Sequence, residues 1–117
     1  MKNKLVVETN GEIINRICDF EQKSNYFILK YTEQPNQKVQ IKFYKDHCVV
    51  IKSGIIVIEV NHKVGVTEVI SYKVNMNGNL FDGESIVHTK VYENQKKSFY
   101  LEYKVDDQII KQKWELS

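Results

Sequence analysis

Apolar and polar residues alternate along this chain in short runs, with turn residues interrupting them about every eight to twelve positions, the pattern of an all-β sandwich or barrel. Leu5, Val7 and Thr9 alternate with Lys4, Val6 and Glu8, and Asn10-Gly11 follows. That dipeptide is a strong hairpin signal, because both residues tolerate the positive φ of a type I′ turn. The segment from Glu12 to about Phe20 is then expected to pair back on the first strand. The doublet Ile13-Ile14 blurs its alternation, so either face could be the buried one. After the polar stretch Glu21 to Asn25, the run Tyr26 to Thr32 sets Phe27, Leu29 and Tyr31 against Tyr26, Ile28 and Lys30.

The only proline, Pro35, falls in the loop Glu33 to Asn36, where the missing backbone donor does no harm. Val39, Ile41 and Phe43 alternate cleanly with Gln40 and Lys42, and Lys45-Asp46 reads as a turn. His47 to Lys52 and Ile55 to Asn61 are nearly continuous apolar runs separated by Ser53-Gly54, so this hairpin is expected to be covered on both faces or to lie at a crowded wall. Gly65 ends the second run. Val66, Glu68, Ile70, Tyr72 and Val74 share one side of the next strand, which meets Asn77-Gly78, another type I′ candidate. Asn79 to Tyr92 follows, with Asp82-Gly83 suggesting a bulge or sharp bend. Phe99, Leu101, Tyr103 and Val105 alternate with Ser98, Tyr100, Glu102 and Lys104. Beyond Asp106-Asp107 the last strand carries Ile110, Trp114 and Leu116 on one face.

Consecutive hairpins with short loops make an up-and-down meander of about ten strands, enough that an open sheet would curl or close. Closure also removes exposed edges. The expected fold is therefore all-β: one domain spanning residues 1–117, a closed antiparallel up-and-down barrel of about 8–10 strands.

Composition agrees with that pattern. Val, Ile, Thr, Phe, Tyr and Trp supply 44 of 117 residues, Ala is absent and Leu occurs five times, which favours strands and starves helices. The excess of Lys over Arg, sixteen to one, together with abundant Asn, fits an AT-rich genome. A formal net charge of +2 creates no strong field for polyanions, so a nucleic-acid or membrane-surface role is not favoured. Cys18 and Cys48 lack a second cysteine at metal-ligand or redox spacing and read as two buried free thiols. No apolar stretch reaches transmembrane length, and Met1 to Asn10 lacks the apolar region of a secretion signal, so a cytoplasmic location is expected.

Val49-Val50-Ile51-Lys52-Ser53-Gly54, the return to Gly65, then Tyr72, Gly78, Leu80 and the strand Leu101-Glu102-Tyr103 resemble the YwiB-like family of small bacterial proteins of unknown function. The resemblance runs from about Lys38 to the C-terminus and rests on the spacing of glycines and strands. It implies a calycin-like, lipocalin-like β-barrel. Lys52 stands where that family usually has Arg, so a role needing a bidentate guanidinium is not carried over. The family brings no activity with it, and a fold alone confers none.

Chemical constellations are sparse. Ser53 lacks the preceding glycine of a nucleophile elbow and reads as a turn residue. His47, His62 and His88 show no metal-ligand spacing, Asp106-Asp107 reads as a turn, and the five glycines are dispersed, leaving no phosphate loop. Lys97-Ser98-Phe99-Tyr100-Leu101-Glu102-Tyr103 superficially resembles a base-stacking strand. It lacks the glycine that lets bases lie close, however, and carries Glu102, which would repel phosphate. Catalysis is the weakest class, and neither a cofactor nor a metal is expected.

Two readings of function remain. In the first, the barrel lumen holds a small apolar or amphipathic ligand, with Tyr31, Phe43, Tyr72, His88 and Tyr103 as candidate lining residues. In the second, the protein is an interaction or scaffold domain whose lumen is filled by its own side chains, leaving outer residues such as Tyr26, Tyr44 and Tyr100 to meet a partner. Volume separates the two, because an eight-stranded interior is just large enough for side chains such as Phe27, Phe43, Phe99 and Trp114 to fill.

Overall fold

The computed structural model describes residues 2–117, and among them every regular element is a strand. The ten strands are β1 (Lys2–Thr9), β2 (Glu12–Gln22), β3 (Phe27–Gln34), β4 (Gln37–Phe43), β5 (His47–Gly54), β6 (Ile56–Lys63), β7 (Thr67–Met76), β8 (Asn79–Asn94), β9 (Ser98–Val105) and β10 (Gln108–Leu116). Each pairs antiparallel with its sequence neighbours, and β1 pairs with β10 to close the cylinder. The expected closed up-and-down barrel is the observed fold.

Tight reversals set this meander. Asn10-Gly11 and Asn77-Gly78 carry positive φ at both positions, as type I′ turns require. The ambiguous face of β2 is resolved by pairing: Arg16 lies opposite Leu5 and Ile14 opposite Val7, both buried, so Ile14, Arg16, Cys18 and Phe20 point inward. Ile13 and Ile17 consequently face solvent.

Two expectations need correction. Gly83 is neither a bulge nor a bend, since the β7–β8 register runs without interruption through Tyr72 opposite Gly83. Its missing side chain instead makes room for the Tyr72 ring, whose atoms lie 2.4–2.6 Å from where a Cβ would stand. The register shifts fall elsewhere, between Thr32 and Gln34 and between Thr89 and Val91. The β5–β6 hairpin is not covered on its outer side, for Ile55 and Val57 are exposed. Its apolar continuity comes from alternate residues serving the lumen and the water-facing wall.

The reversal from β5 into β6 is held by close backbone contact. Ile55 donates to the Asn36 carbonyl, and the buried Gln37 amide both donates to and accepts from the backbone of Ile56. Gly54 sits there at φ +121°, where an added Cβ would lie 1.9 Å from the Asn36 oxygen. Gly54→Ala is therefore expected to destabilise by about 3 kcal/mol, from steric strain added to an unfavourable backbone. Gly11→Ala, with open space around it, should cost only about 1 kcal/mol. Urea unfolding of the two variants measures this difference.

Candidate functional site

The lumen is filled at one end and open at the other. The filled end is that of the β3 N-terminus and the β4 C-terminus. There Phe43 stacks on Phe99 with ring centroids 3.7 Å apart, Trp114 meets Phe43 edge-on at 5.6 Å, and Phe20 and Phe27 stack at 5.5 Å beneath them. Leu29, Ile41, Cys48 and Leu101 complete this half, all essentially without solvent exposure. At the opposite end, which holds the turns Asn10-Gly11, Asn77-Gly78 and Asp106-Asp107, the inward-facing Ile14, Arg16, Glu33, Lys52, Ile58, Tyr72, Val74, Tyr103 and Gln112 are only half-buried. Alternation points these side chains into the barrel, yet water still reaches them.

The wall next to this open half is unlaced. Strands β7 and β8 share ten register pairs, whereas β6 and β7 share two, Ile56–Val74 and Val57–Lys73. The turn after β6 reaches past β7 instead, with Gly65 donating to the Thr89 carbonyl and Thr89 to that of Val66. Between these two attachments the strands separate. A cavity of about 740 Å³ occupies the gap, lined on its inner side by Lys52, Ile58, Tyr72 and Gly83. Val60, Ile70 and Val87 form a small separate core that covers the deeper part of the seam, and Tyr103 packs against both this core and the main one.

Polar groups gather at the boundary between the two halves. Lys52 lies in register with Val39, Val39 with Tyr31 and Tyr31 with Cys18, so one inward row crosses four strands. Tyr31 is buried and accepts a hydrogen bond from Trp114 Nε1 at 3.1 Å. The Tyr103 hydroxyl donates to Gln112 at 3.4 Å, and Gln112 donates to Thr9. Arg16 donates to the carbonyls of Asn15 and Glu33, capping backbone at the point where the β2–β3 ladder has ended. Lys52 Nζ lies 3.3 Å from the Glu33 carboxylate, and both side chains are about 30% exposed (28% and 31%). Burial pushes the Tyr103 hydroxyl up to about 12 and raises that of Tyr31 well above its ordinary value, so both stay protonated and able to donate.

Of the five candidate lining residues, Tyr72 and Tyr103 border the open half and Tyr31 stands at its floor. Phe43 faces inward but is wholly enclosed in the filled half, packed in the main core against Phe99 and Trp114. His88 lies on the outer wall, a correction to its expected place in the lumen. Its neighbours Val87 and Thr89 are the buried residues of β8, and the His88 ring bonds Thr67 Oγ1 at 2.6 Å on the surface. Arg16, Glu33 and Lys52 are not among those candidates, although Glu33 and Lys52 continue the inward alternation of Phe27–Leu29–Tyr31 and Cys48–Val50. Both cysteines are buried and free, and burial raises both thiols. Among the described residues no group of three or more His, Cys, Asp and Glu is placed to hold a metal ion.

No family model and no curated protein matches the sequence. Among solved structures, the crystal structure of the YwiB protein from Bacillus subtilis superposes with a TM-score of 0.71 over 99% of this chain and 89% of that one, at 19% identity. The chain has the YwiB-like fold. The likeness covers the first three strands as well, which lie before the stretch that carries the resemblance in sequence, and at this identity it concerns the fold alone.

His62 is a buried, inward-facing titratable group of the YwiB-like barrel. It lies against the Tyr103 ring at 4.5 Å and its Nδ1 is 2.9 Å from Thr89 Oγ1. Burial lowers its pKa from 6.5 to about 4. Because the folded value lies below the unfolded one, the unfolded chain binds the proton first. The stability associated with neutral His62 is complete above pH 6.5 and is lost as pH falls toward 4. Urea unfolding should show a loss of about 2 kcal/mol between pH 7.5 and pH 5, and His62→Gln should flatten that slope.

Proposed function

We propose that the protein binds a small amphipathic molecule in the open half of its barrel. The observation that carries this reading is the contrast within one lumen: inward side chains at one end are packed without exposure, while Ile58, Tyr72, Val74 and Tyr103 at the other remain half-buried beside a cavity of about 740 Å³. That volume lies within the range of small-molecule sites, which combine apolar walls with a few directed polar groups. Ile58 and the rings of Tyr72 and Tyr103 supply apolar wall, while Lys52, Glu33 and the tyrosine hydroxyls supply the polar groups. The filled half gives this site a rigid floor.

The scaffold reading draws on a different observation. The β7–β8 hairpin extends past β9, whose pairing with β8 begins at Val87, and Met76, Leu80 and Phe81 near its tip are each more than half exposed. Partner binding there would leave the lumen unused. Titration with the neutral dye N-phenyl-1-naphthylamine discriminates between the two. A lumen site gives saturable fluorescence at about one dye per chain, and Ile58→Trp, which fills the cavity, weakens it by on the order of tenfold or more. An absence of saturable binding, or binding undiminished in an Ile58→Trp variant with unchanged circular dichroism and thermal unfolding, overturns the lumen reading.

A further inference from the structure

We infer that the open half of the barrel selects amphiphiles carrying a carboxylate headgroup, with Lys52 as the group that recognises it. This inference rests on the lumen-binding reading and specifies the ligand's chemistry.

The half-buried inward-facing charges of this half are Arg16, Glu33 and Lys52, two cations and one carboxylate, with Lys52 touching the Glu33 carboxylate and Arg16 the Glu33 backbone carbonyl, while Glu12 on the same face stands exposed at the rim. Such a set is unbalanced by one positive charge. Arg16 is engaged with the backbone carbonyls of Asn15 and Glu33, so it holds the seam between β2 and β3 and adds its charge to the lumen from there. Lys52 differs from it. Its single carboxylate contact is long for a charge-assisted hydrogen bond, 3.3 Å against the usual 2.7–2.9 Å or so. An ammonium has three donors, and this contact uses one. Lys52 also borders the cavity directly, next to Ile58 and facing the Tyr72 ring across the seam.

The neutral groups nearby favour the same kind of ligand. Tyr31 accepts its hydrogen bond from Trp114, which leaves its own hydroxyl proton to be donated. Beside Lys52 itself, the acceptor in contact is the Glu33 carboxylate. From there the apolar part of a ligand has Ile58, Tyr72 and Val74 to lie against as it runs toward the barrel mouth.

Acidic side chains also approach the cavity, namely Glu59, Asp82 and Glu84. They stand on the outer faces of β6 and β8 and are exposed, and Asp82 lies opposite Lys73 in register. Water and salt screen such surface charges far more than the half-buried Lys52. The lumen group therefore governs the choice of headgroup.

Isothermal titration with decanoate, decanol and decyltrimethylammonium tests the inference. Wild type should bind decanoate on the order of tenfold more tightly than decanol, as a charge-assisted hydrogen bond allows, and decyltrimethylammonium more weakly than either. Lys52→Met should bring decanoate down to the level of decanol while leaving decanol within about twofold of its wild-type affinity. Glu33→Gln moves the other way, strengthening decanoate severalfold by removing the competing carboxylate, so the test holds even if one variant folds poorly. Equal wild-type affinity for decanoate and decanol, a preference for decyltrimethylammonium, or an equal loss of decanoate and decanol in Lys52→Met overturns the headgroup assignment while leaving lumen binding standing. If none of the three amphiphiles binds, lumen binding itself fails, and the headgroup assignment with it.

Discussion

The stacking of Phe43 on Phe99, with Trp114 against the edge of Phe43, is the contact on which the cylinder depends. These residues come from β4, β9 and β10, so one cluster ties opposite walls of the barrel together. Each side chain of this size contributes roughly 1.5–3 kcal/mol on full burial, and aromatic pairs add about 0.5–1.5 kcal/mol beyond their area. Leu5, Leu29, Ile41 and Leu101 enclose the rings without leaving solvent exposure. Closure between β1 and β10 follows, because Val7 lies directly opposite Trp114.

The same energetics keep the other half open. Enclosing Arg16, Glu33 and Lys52 as completely as Phe43 would cost several kcal/mol per ion, more than packing an apolar side chain over them returns. Inward charges at the strand ends thus oppose the collapse that aromatic residues drive deeper in the barrel. Water remains around them, and the ladder between β6 and β7 is free to part, since its backbone groups there have solvent within reach. Tyr103 lies where the two regimes meet, packed on both cores with its hydroxyl turned to Gln112. A filled base and a wet, charged upper chamber thus arise from a single pattern of inward residues.

Much of this architecture was legible in the sequence, because period-two burial and Asn-Gly reversals are local signals. The strand Gln37–Phe43 and the last strand, with Ile110, Trp114 and Leu116 on one side, read correctly from alternation alone. What alternation leaves undecided is settled by long-range register. The doublet Ile13-Ile14 is resolved only because Leu5 and Val7 on β1 are buried opposite Arg16 and Ile14. In β8 both faces look alike locally, and pairing of Thr89 with Tyr103 turns His88 outward. The site is harder to see because its charged members fall at element ends in the sequence, Glu33 beside Pro35 and Lys52 before Ser53-Gly54. A glycine read as a bend, Gly83, proved instead to be the seat of a tyrosine ring.

Thiol accessibility within one molecule tests the half-filled lumen most directly. Cys18 and Cys48 face the packed interior and are fully buried, whereas Ile58 faces the same lumen at its open end. In an Ile58→Cys variant, a colourless disulfide reagent such as 5,5′-dithiobis(2-nitrobenzoate) should label position 58 rapidly under native conditions, with Cys18 and Cys48 reacting only on unfolding. Protection of position 58 equal to that of Cys48, or native labelling of Cys18 and Cys48 at a comparable rate, would contradict the division of this barrel into a packed and an open half.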